Sequence, residues 1–276
     1  MTTALVDIEG DDGTVSIEHA WIARSRRDAP LLVFLHEGLG SVAMWRDWPR
    51  EVCDAARARG LVHSREGYGR STPRRPGRQW PPSFMHREAT QALPRLFAAL
   101  GVDTARDDVV LVGHSDGATI ALLHAAMFPG AARAVVAIAP HIMVEDVSIA
   151  SIERARDAYA HGDLKARLAR YHADPDSAFG GWCGAWLAPA FRSWSIEAAL
   201  DRIRCPVLAI QGDRDEYGTL LQVEGIAARV PGTHVEVLPG CGHSPQRDRP
   251  AAVTAAIAAF VAAHATTTTH EGEVTR

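Results

Sequence analysis

Short apolar runs alternate along this chain with longer amphipathic stretches, and that alternation predicts an α/β fold. From Thr14 to Ile22 apolar and polar residues exchange at every second position, the mark of a half-buried antiparallel strand. Leu31 to His36 (LLVFLH), Leu61 to Ser64, Asp108 to Gly113, Ala134 to Ala139, Val207 to Gln211 and His234 to Leu238 read as central strands. Such strands of a parallel sheet need apolar residues on both faces. Between them, Trp48 to Arg59, Phe84 to Leu100, Ala118 to Phe128, Leu220 to Arg229 and Pro250 to Ala263 carry helical patterns. The expected architecture is a mostly parallel central sheet with helices on both faces, its ligand at the carboxyl ends of the strands.

One stretch interrupts the alternation. Residues 141–205 show no strand pattern, only helix-like pieces at Ser151 to Ala160 and Leu164 to Tyr171, then the aromatics Phe179, Trp182, Trp186, Phe191 and Trp194. An insertion at the carboxyl edge of a parallel sheet is expected to act as a lid. The chain therefore divides into a core (1–140 and 206–264), a helical, aromatic-rich lid (141–205) and a tail (265–276) expected to be disordered.

Composition narrows the class. With 276 residues, 47% hydrophobic and 22% charged, the chain reads as globular and long enough to bury a large core. A net charge of -4 points away from nucleic acid and anionic membranes as partners. The start MTTALVDIEGDDG lacks a basic and an apolar region of the kind that directs secretion, and no apolar run is long enough for a membrane helix. Cys53, Cys183, Cys205 and Cys241 are scattered with no CxxC pair, so a reducing cytoplasm is the expected location.

The candidate chemistry begins at Gly113-His114-Ser115-Asp116-Gly117. This GxSxG lies between the strand VVLV and the helix ATIALLHAAMF, the context in which a tight turn pushes a serine hydroxyl outward. A serine hydroxyl needs a base. His243, in the glycine-rich Pro239-Gly240-Cys241-Gly242-His243-Ser244, follows the last strand and is the candidate. The acid lies in Asp213-Arg214-Asp215-Glu216, after VLAIQ, where Asp213, Asp215 and Glu216 all compete. Leu35-His36-Glu37-Gly38-Leu39-Gly40-Ser41 is the candidate oxyanion loop. The Gly38 and Asp116 amides are the expected donors, with Glu37 replacing Gly38 if the register slips by one.

These motifs, in the order LHEGLGS, GYGRS, GHSDG, QGDRDEYGT and GCGHS, resemble the α/β-hydrolase superfamily in its lidded serine esterase branch, over nearly the whole chain. The resemblance implies the α/β-hydrolase fold, Asp215 as the acid, and no cofactor. The GxSDG form is similar to valacyclovir hydrolase-like enzymes, which cleave amino-acid esters; it implies that Asp116 meets a substrate amine. Two positions depart from the family: Glu37 stands where glycine is usual, and Glu66 where an arginine often precedes the GxGxS loop. That leaves Arg65 and Arg70 as the nearby cations.

The expected activity is a serine hydrolase cleaving a small carboxylic ester through Ser115, His243 and Asp215. Glu37, Asp116, Trp182, Trp186 and Trp194 are the expected substrate-binding residues, with Trp45, Trp48 and Trp80 adding to a mostly apolar pocket. The expected partner is a small acyl molecule; oligomeric state is left open. Lactone, thioester, amide and carbon–carbon cleavage use the same triad, and a slow-turnover receptor shares the fold. His141, Glu145 and Asp146 match no metal-ligand spacing, so no metal is expected. His36 is expected to fix its loop by a hydrogen bond, and His114 to fill the turn.

Overall fold

The computed structural model describes residues 1–265; residues 266–276, most of the expected tail, lie outside the described residues. Eight strands form one sheet: β1 (Ala4–Gly10), β2 (Gly13–Ile22), β3 (Leu31–Leu35), β4 (Arg59–His63), β5 (Val109–His114), β6 (Ala134–Ile138), β7 (Val207–Gly212) and β8 (His234–Leu238). Their spatial order is β1-β2-β4-β3-β5-β6-β7-β8. β1 pairs antiparallel with β2, and β2 with β4; from β4 onward every pairing is parallel. The sequence reading contains every strand but β1. Its signal is Val6-Asp7-Ile8-Glu9, alternating before the turn at Asp11-Asp12, and only Ile8 is buried.

The apolar runs are explained by the two-residue period of a strand. Leu31, Val33 and Leu35 enter one core cluster, and Leu32 and Phe34 the other. Likewise Val109 and Leu111 face one side, Val110 and Val112 the opposite one. α1 (Trp48–Ala55) supplies Val52 and Cys53 to the second cluster. On the first face lie α2 (Phe84–Arg87) and α3 (Leu93–Leu100), joined by a π turn at Glu88–Ala92, and α4 (Asp116–Met127). Pro94, which has no N–H to donate, sits just beyond that π turn.

Between β6 and β7 the chain forms α5 (Asp146–His161), α6 (Leu164–Leu168), α7 (Pro175–Trp186) and α8 (Glu197–Leu200). α7 is absent from the sequence reading. Asp174 caps it by accepting from the Ser177 amide at 2.8 Å, Pro175 occupies its first turn, and Phe179, Trp182 and Trp186 share one face. The chain closes with α9 (Leu221–Arg229), α10 (Pro245–Asp248) and α11 (Pro250–His264), whose Val253, Ile257 and Phe260 join α1 on the second face. No helix among the described residues is long and apolar enough to cross a membrane.

Candidate active site

The site is assembled where β3, β5, β7 and β8 end. Between β5 and α4 the backbone reverses at Ser115, whose φ of 53° and ψ of -119° are unusual for a residue with a side chain. Two glycines make the turn possible. A Cβ on Gly113 would meet the Gly117 carbonyl, and one on Gly117 would meet the Leu35 carbonyl at the end of β3. The turn is thereby pressed against the neighbouring strand, which brings the loops after β3 and β5 side by side.

Ser115 Oγ lies 3.0 Å from His243 Nε2. His243 Nδ1 lies 2.8 Å from Asp215 Oδ1 and 2.9 Å from Oδ2. Assigned from these partners, Nδ1–H donates to the carboxylate and Nε2 accepts from the serine hydroxyl. Asp215 is further held by the Tyr217 amide at 2.8 Å, the Gly218 amide at 3.3 Å and Gln211 Nε2 at 3.2 Å. Burial works to raise its pKa, but the His243 bond and charge, with the Tyr217 amide, hold it below the usual value.

The other acids turn elsewhere. Asp213 Oδ1 accepts from the Gly240 amide at 2.7 Å, and Glu216 Oε2 from the His243 amide at 3.1 Å. Both therefore brace the loop that carries the imidazole. Three rings surround that imidazole, Tyr217 at 4.6 Å, His114 at 5.3 Å and His141 at 5.5 Å between centroids.

The loop after β3 is fixed from below. His36 Nδ1–H donates to the Glu37 carbonyl at 2.7 Å, while its Nε2 accepts from the Arg65 amide at 3.0 Å. The buried Arg65 guanidinium donates to the His36 carbonyl at 2.9 Å and the Glu37 carbonyl at 3.2 Å. With those carbonyls turned away, the Gly38 amide has no hydrogen-bond partner among the described residues, nor does that of Asp116. Gly38 also has no room for a side chain, because the Trp182 indole stands against it.

Glu37 faces the histidine loop. Arg247 Nη2 donates to its Oε1 at 3.3 Å, and its Oε2 is 3.6 Å from His114 Nδ1. Burial opposes ionisation there, but His114, Arg247 and His36 together push the carboxyl below its ordinary range. His114 does more than fill the turn: its Nε2 lies 2.7 Å from the His243 carbonyl and its Nδ1 3.0 Å from Gln246 Nε2.

Asp116 is fully buried. Trp186 Nε1 donates to Oδ1 at 3.2 Å, Arg65 Nη2 is 4.0 Å from Oδ2, and Oδ2 has no hydrogen bond. Burial raises its pKa to about 6, against the pull of Arg65 and Trp186. Arg65, which contacts both the loop after β3 and Asp116, is a residue the sequence marked only as a nearby cation.

Ser115, His243, Gly38 and Asp116 border one cavity of about 860 Å³. Ile152 from α5, Leu164 and Leu168 from α6, and Trp182 and Trp186 from α7 also line it. Trp45 and Trp48 join them, as do the charged Glu51, Arg167 and Arg170. Two aromatic expectations are corrected. Trp194 lies outside the lining because its ring stacks on Phe191 at 5.0 Å. Trp80 borders a separate cavity of about 60 Å³ that Arg65 and Tyr68 also line. His141, Glu145 and Asp146 diverge: Glu145 holds Thr219 and Gln222, and Asp146 pairs with Arg192.

A model of the alpha/beta hydrolase family matches residues 32–257. The human serine hydrolase BPHL is 28% identical over 187 residues, covering 64% of this chain and 60% of that protein, so the match spans under two thirds of the relative. Among solved structures, a thermophilic esterase from Thermogutta terrifontis superposes with a TM-score of 0.73 at 18% identity, over 96% of this chain and 100% of its own. The enol-lactonase from Burkholderia xenovorans LB400 does so with a TM-score of 0.70 at 18% identity, over 95% and 100%. At such identity these two likenesses speak for the fold.

Proposed function

This chain belongs to the alpha/beta hydrolase family, and we propose that it is a serine hydrolase acting on a small carboxylic ester. The observation that carries the reading is the unbroken chain from Asp215 through His243 to Ser115, at 2.8 and 3.0 Å, opening onto the large cavity. In this reading Ser115 Oγ attacks the ester carbonyl while His243 Nε2 takes its proton. Asp215 keeps the imidazole in the tautomer that accepts, and then stabilises the imidazolium. The Gly38 and Asp116 amides receive the developing oxyanion, which their lack of other partners supports. His243 returns the proton to the leaving alcohol, and then activates the water that frees the acyl group.

The helices between β6 and β7 serve as the lid that shapes the substrate space. Ile152, Leu168, Trp182 and Trp186 on the cavity wall support this role. A small acyl molecule as the partner and a cytoplasmic location belong to the same reading.

A fluorophosphonate label on the wild-type protein tests the reading. Ser115 is expected to be modified, and Ser115→Ala to lose both labelling and ester turnover, the latter on the order of 10³-fold or more. Turnover in Ser115→Ala within a tenth of wild type refutes the assignment.

A further inference from the structure

His172 lies between α6 and α7, in the segment proposed above as the lid, and touches none of the three triad residues. It is buried, yet both of its ring nitrogens are in use. The Gly69 amide donates to Nδ1 at 2.9 Å, and Nε2–H donates to the Leu39 carbonyl at 2.9 Å. Assigned from these partners, the ring is neutral and carries its proton on Nε2. Burial lowers its pKa, against the Leu39 bond and the charges of Glu37 and Glu18, and so favours that neutral form.

The Gly69 end of this strut is firmly seated. Gly69 has a φ of 58°, and a Cβ there would meet Ser64 Oγ and Glu18 Oε2. Its carbonyl accepts from the Ala173 amide at 2.8 Å. Ser177 Oγ accepts from the Arg74 amide at 2.7 Å and donates to the Gly67 carbonyl at 3.3 Å. The foot of the lid is thus pinned to the loop after β4, and His172 reaches from there to the loop after β3.

The Leu39 end leads to the oxyanion loop through two peptide planes. The Leu39 carbonyl and the Gly40 N–H belong to one planar trans peptide and point in opposite directions. While His172 holds the carbonyl, the Gly40 N–H donates to the Glu37 carbonyl at 3.0 Å. That carbonyl shares its own peptide plane with the Gly38 N–H, the proposed oxyanion donor. His36 and Arg65 also hold the Glu37 carbonyl, at 2.7 and 3.2 Å, but they belong to the core. We infer that His172 is a positioning residue through which the lid sets the direction of the Gly38 amide. This rests on the serine-hydrolase reading above. Because the aim of that amide matters most when the oxyanion forms, the effect falls on kcat rather than KM.

Substitution separates the two nitrogens. His172→Asn offers an oxygen to the Gly69 amide but is too short to reach Leu39, whereas His172→Gln extends an NH₂ toward the Leu39 carbonyl. Removing an oxyanion donor outright costs about 10²- to 10³-fold in kcat. Here the donor remains, and His36 and Arg65 still hold its peptide. His172→Asn is therefore expected to lower kcat on an activated ester about 10-fold and to leave KM within about 2-fold. The Ki of a trifluoromethyl ketone, whose tetrahedral adduct carries the oxyanion, is expected to rise in proportion to the loss in kcat/KM. His172→Gln is expected to return kcat and Ki to within about 3-fold of wild type. Active-site titration with a fluorophosphonate expresses kcat per active molecule, and a smaller folded fraction leaves Ki unchanged. In the wild-type protein, the ring-nitrogen NMR shifts of His172 at neutral pH are expected to show the proton on Nε2, a measurement that needs no variant to fold.

Equal losses in His172→Asn and His172→Gln, a fall in kcat with Ki unchanged, or an effect confined to KM overturns the positioning role. So does an Nδ1–H or doubly protonated ring in the wild-type protein. If Ser115 is labelled and esters turn over while His172→Asn keeps wild-type kcat and Ki, this inference alone fails. If the wild-type protein shows neither labelling nor turnover, the serine-hydrolase reading fails and takes the positioning role with it.

Discussion

Asp215→Asn replaces one oxygen of the carboxylate with an NH₂ and leaves the volume unchanged. In the native site Oδ1 accepts from the Tyr217 and Gly218 amides, Oδ2 accepts from Gln211 Nε2, and both lie within 2.9 Å of His243 Nδ1. The new carbonyl oxygen is drawn to the two backbone donors, which cannot move. That directs the NH₂ toward Gln211 and His243. Facing a donor, the imidazole shifts its proton to Nε2 and presents Nδ1 as acceptor. Nε2–H then donates to Ser115 Oγ, and the base that should take the serine proton is gone. Gln211 meets a donor as well, and it is committed by bonds to the Gly218 and Thr219 carbonyls at 2.9 and 3.2 Å. An equivalent change in a serine protease costs about 10⁴ in kcat, or ~5.4 kcal/mol. We expect a loss of 10³- to 10⁴-fold here. Asp213→Asn keeps an oxygen for the Gly240 amide, 2.7 Å away in the native loop, and is expected to cost less than about 3-fold. The assay is kcat/KM on an activated ester alongside the rate of fluorophosphonate labelling, with thermal unfolding to verify the fold. Asp215→Asn retaining a tenth of wild-type kcat, or Asp213→Asn losing as much as Asp215→Asn, refutes the reasoning.

Other positions make separate expectations. Glu37→Gln weakens the tie between the oxyanion loop and the histidine loop, so kcat is expected to fall about 3- to 10-fold with little change in KM; Arg247→Ala, at a half-exposed position, should cost less. An equal loss in both variants, or a change confined to KM, contradicts that bracing role. Trp182→Ala should alter acyl-chain preference, whereas Trp194→Ala, outside the cavity lining, should lower Tm and leave the substrate profile unchanged; the reverse pattern would return Trp194 to the pocket. Burial raises the Glu88 pKa from 4.5 to about 7, against Arg65 and Arg87. A carboxyl with a raised folded pKa binds its proton more tightly when folded, so stability is lost as pH rises from about 4.5 to about 7. Glu88→Gln should therefore gain stability relative to wild type at pH 8 and not at pH 4, by about 1 to 3 kcal/mol, read from denaturant unfolding; an equal gain at both pH values rules out the titration.

How legible the protein is from its residues varies with the range of the forces involved. The strand runs are legible because burial on both faces demands apolar residues at consecutive positions, as Leu31 to Leu35 show when they divide between the two core clusters. The turn at Ser115 is legible because Gly113 and Gly117 answer a clash within five residues. The short amphipathic strand β1 and helix α7 carry weaker patterns, and both were missed although Asp174, Pro175 and the Phe179-Trp182-Trp186 spacing marked the latter. Side-chain direction was not legible. Asp213, Asp215 and Glu216 are chemically alike in sequence, and contact with a loop about 28 residues later decides which one meets His243. The same holds for Glu37, whose partners are 77 and 210 positions away, and for Arg65, whose role depends on β3 and α4 converging. Local sterics and burial period are written into neighbouring residues, so the sequence by itself determined the α/β alternation, the strained serine and the order of the candidate groups. Which polar atoms are paired, and which are buried without a partner as at His141 Nδ1, follows from contacts that exist only once the distant loops have packed, and tertiary structure alone decided it.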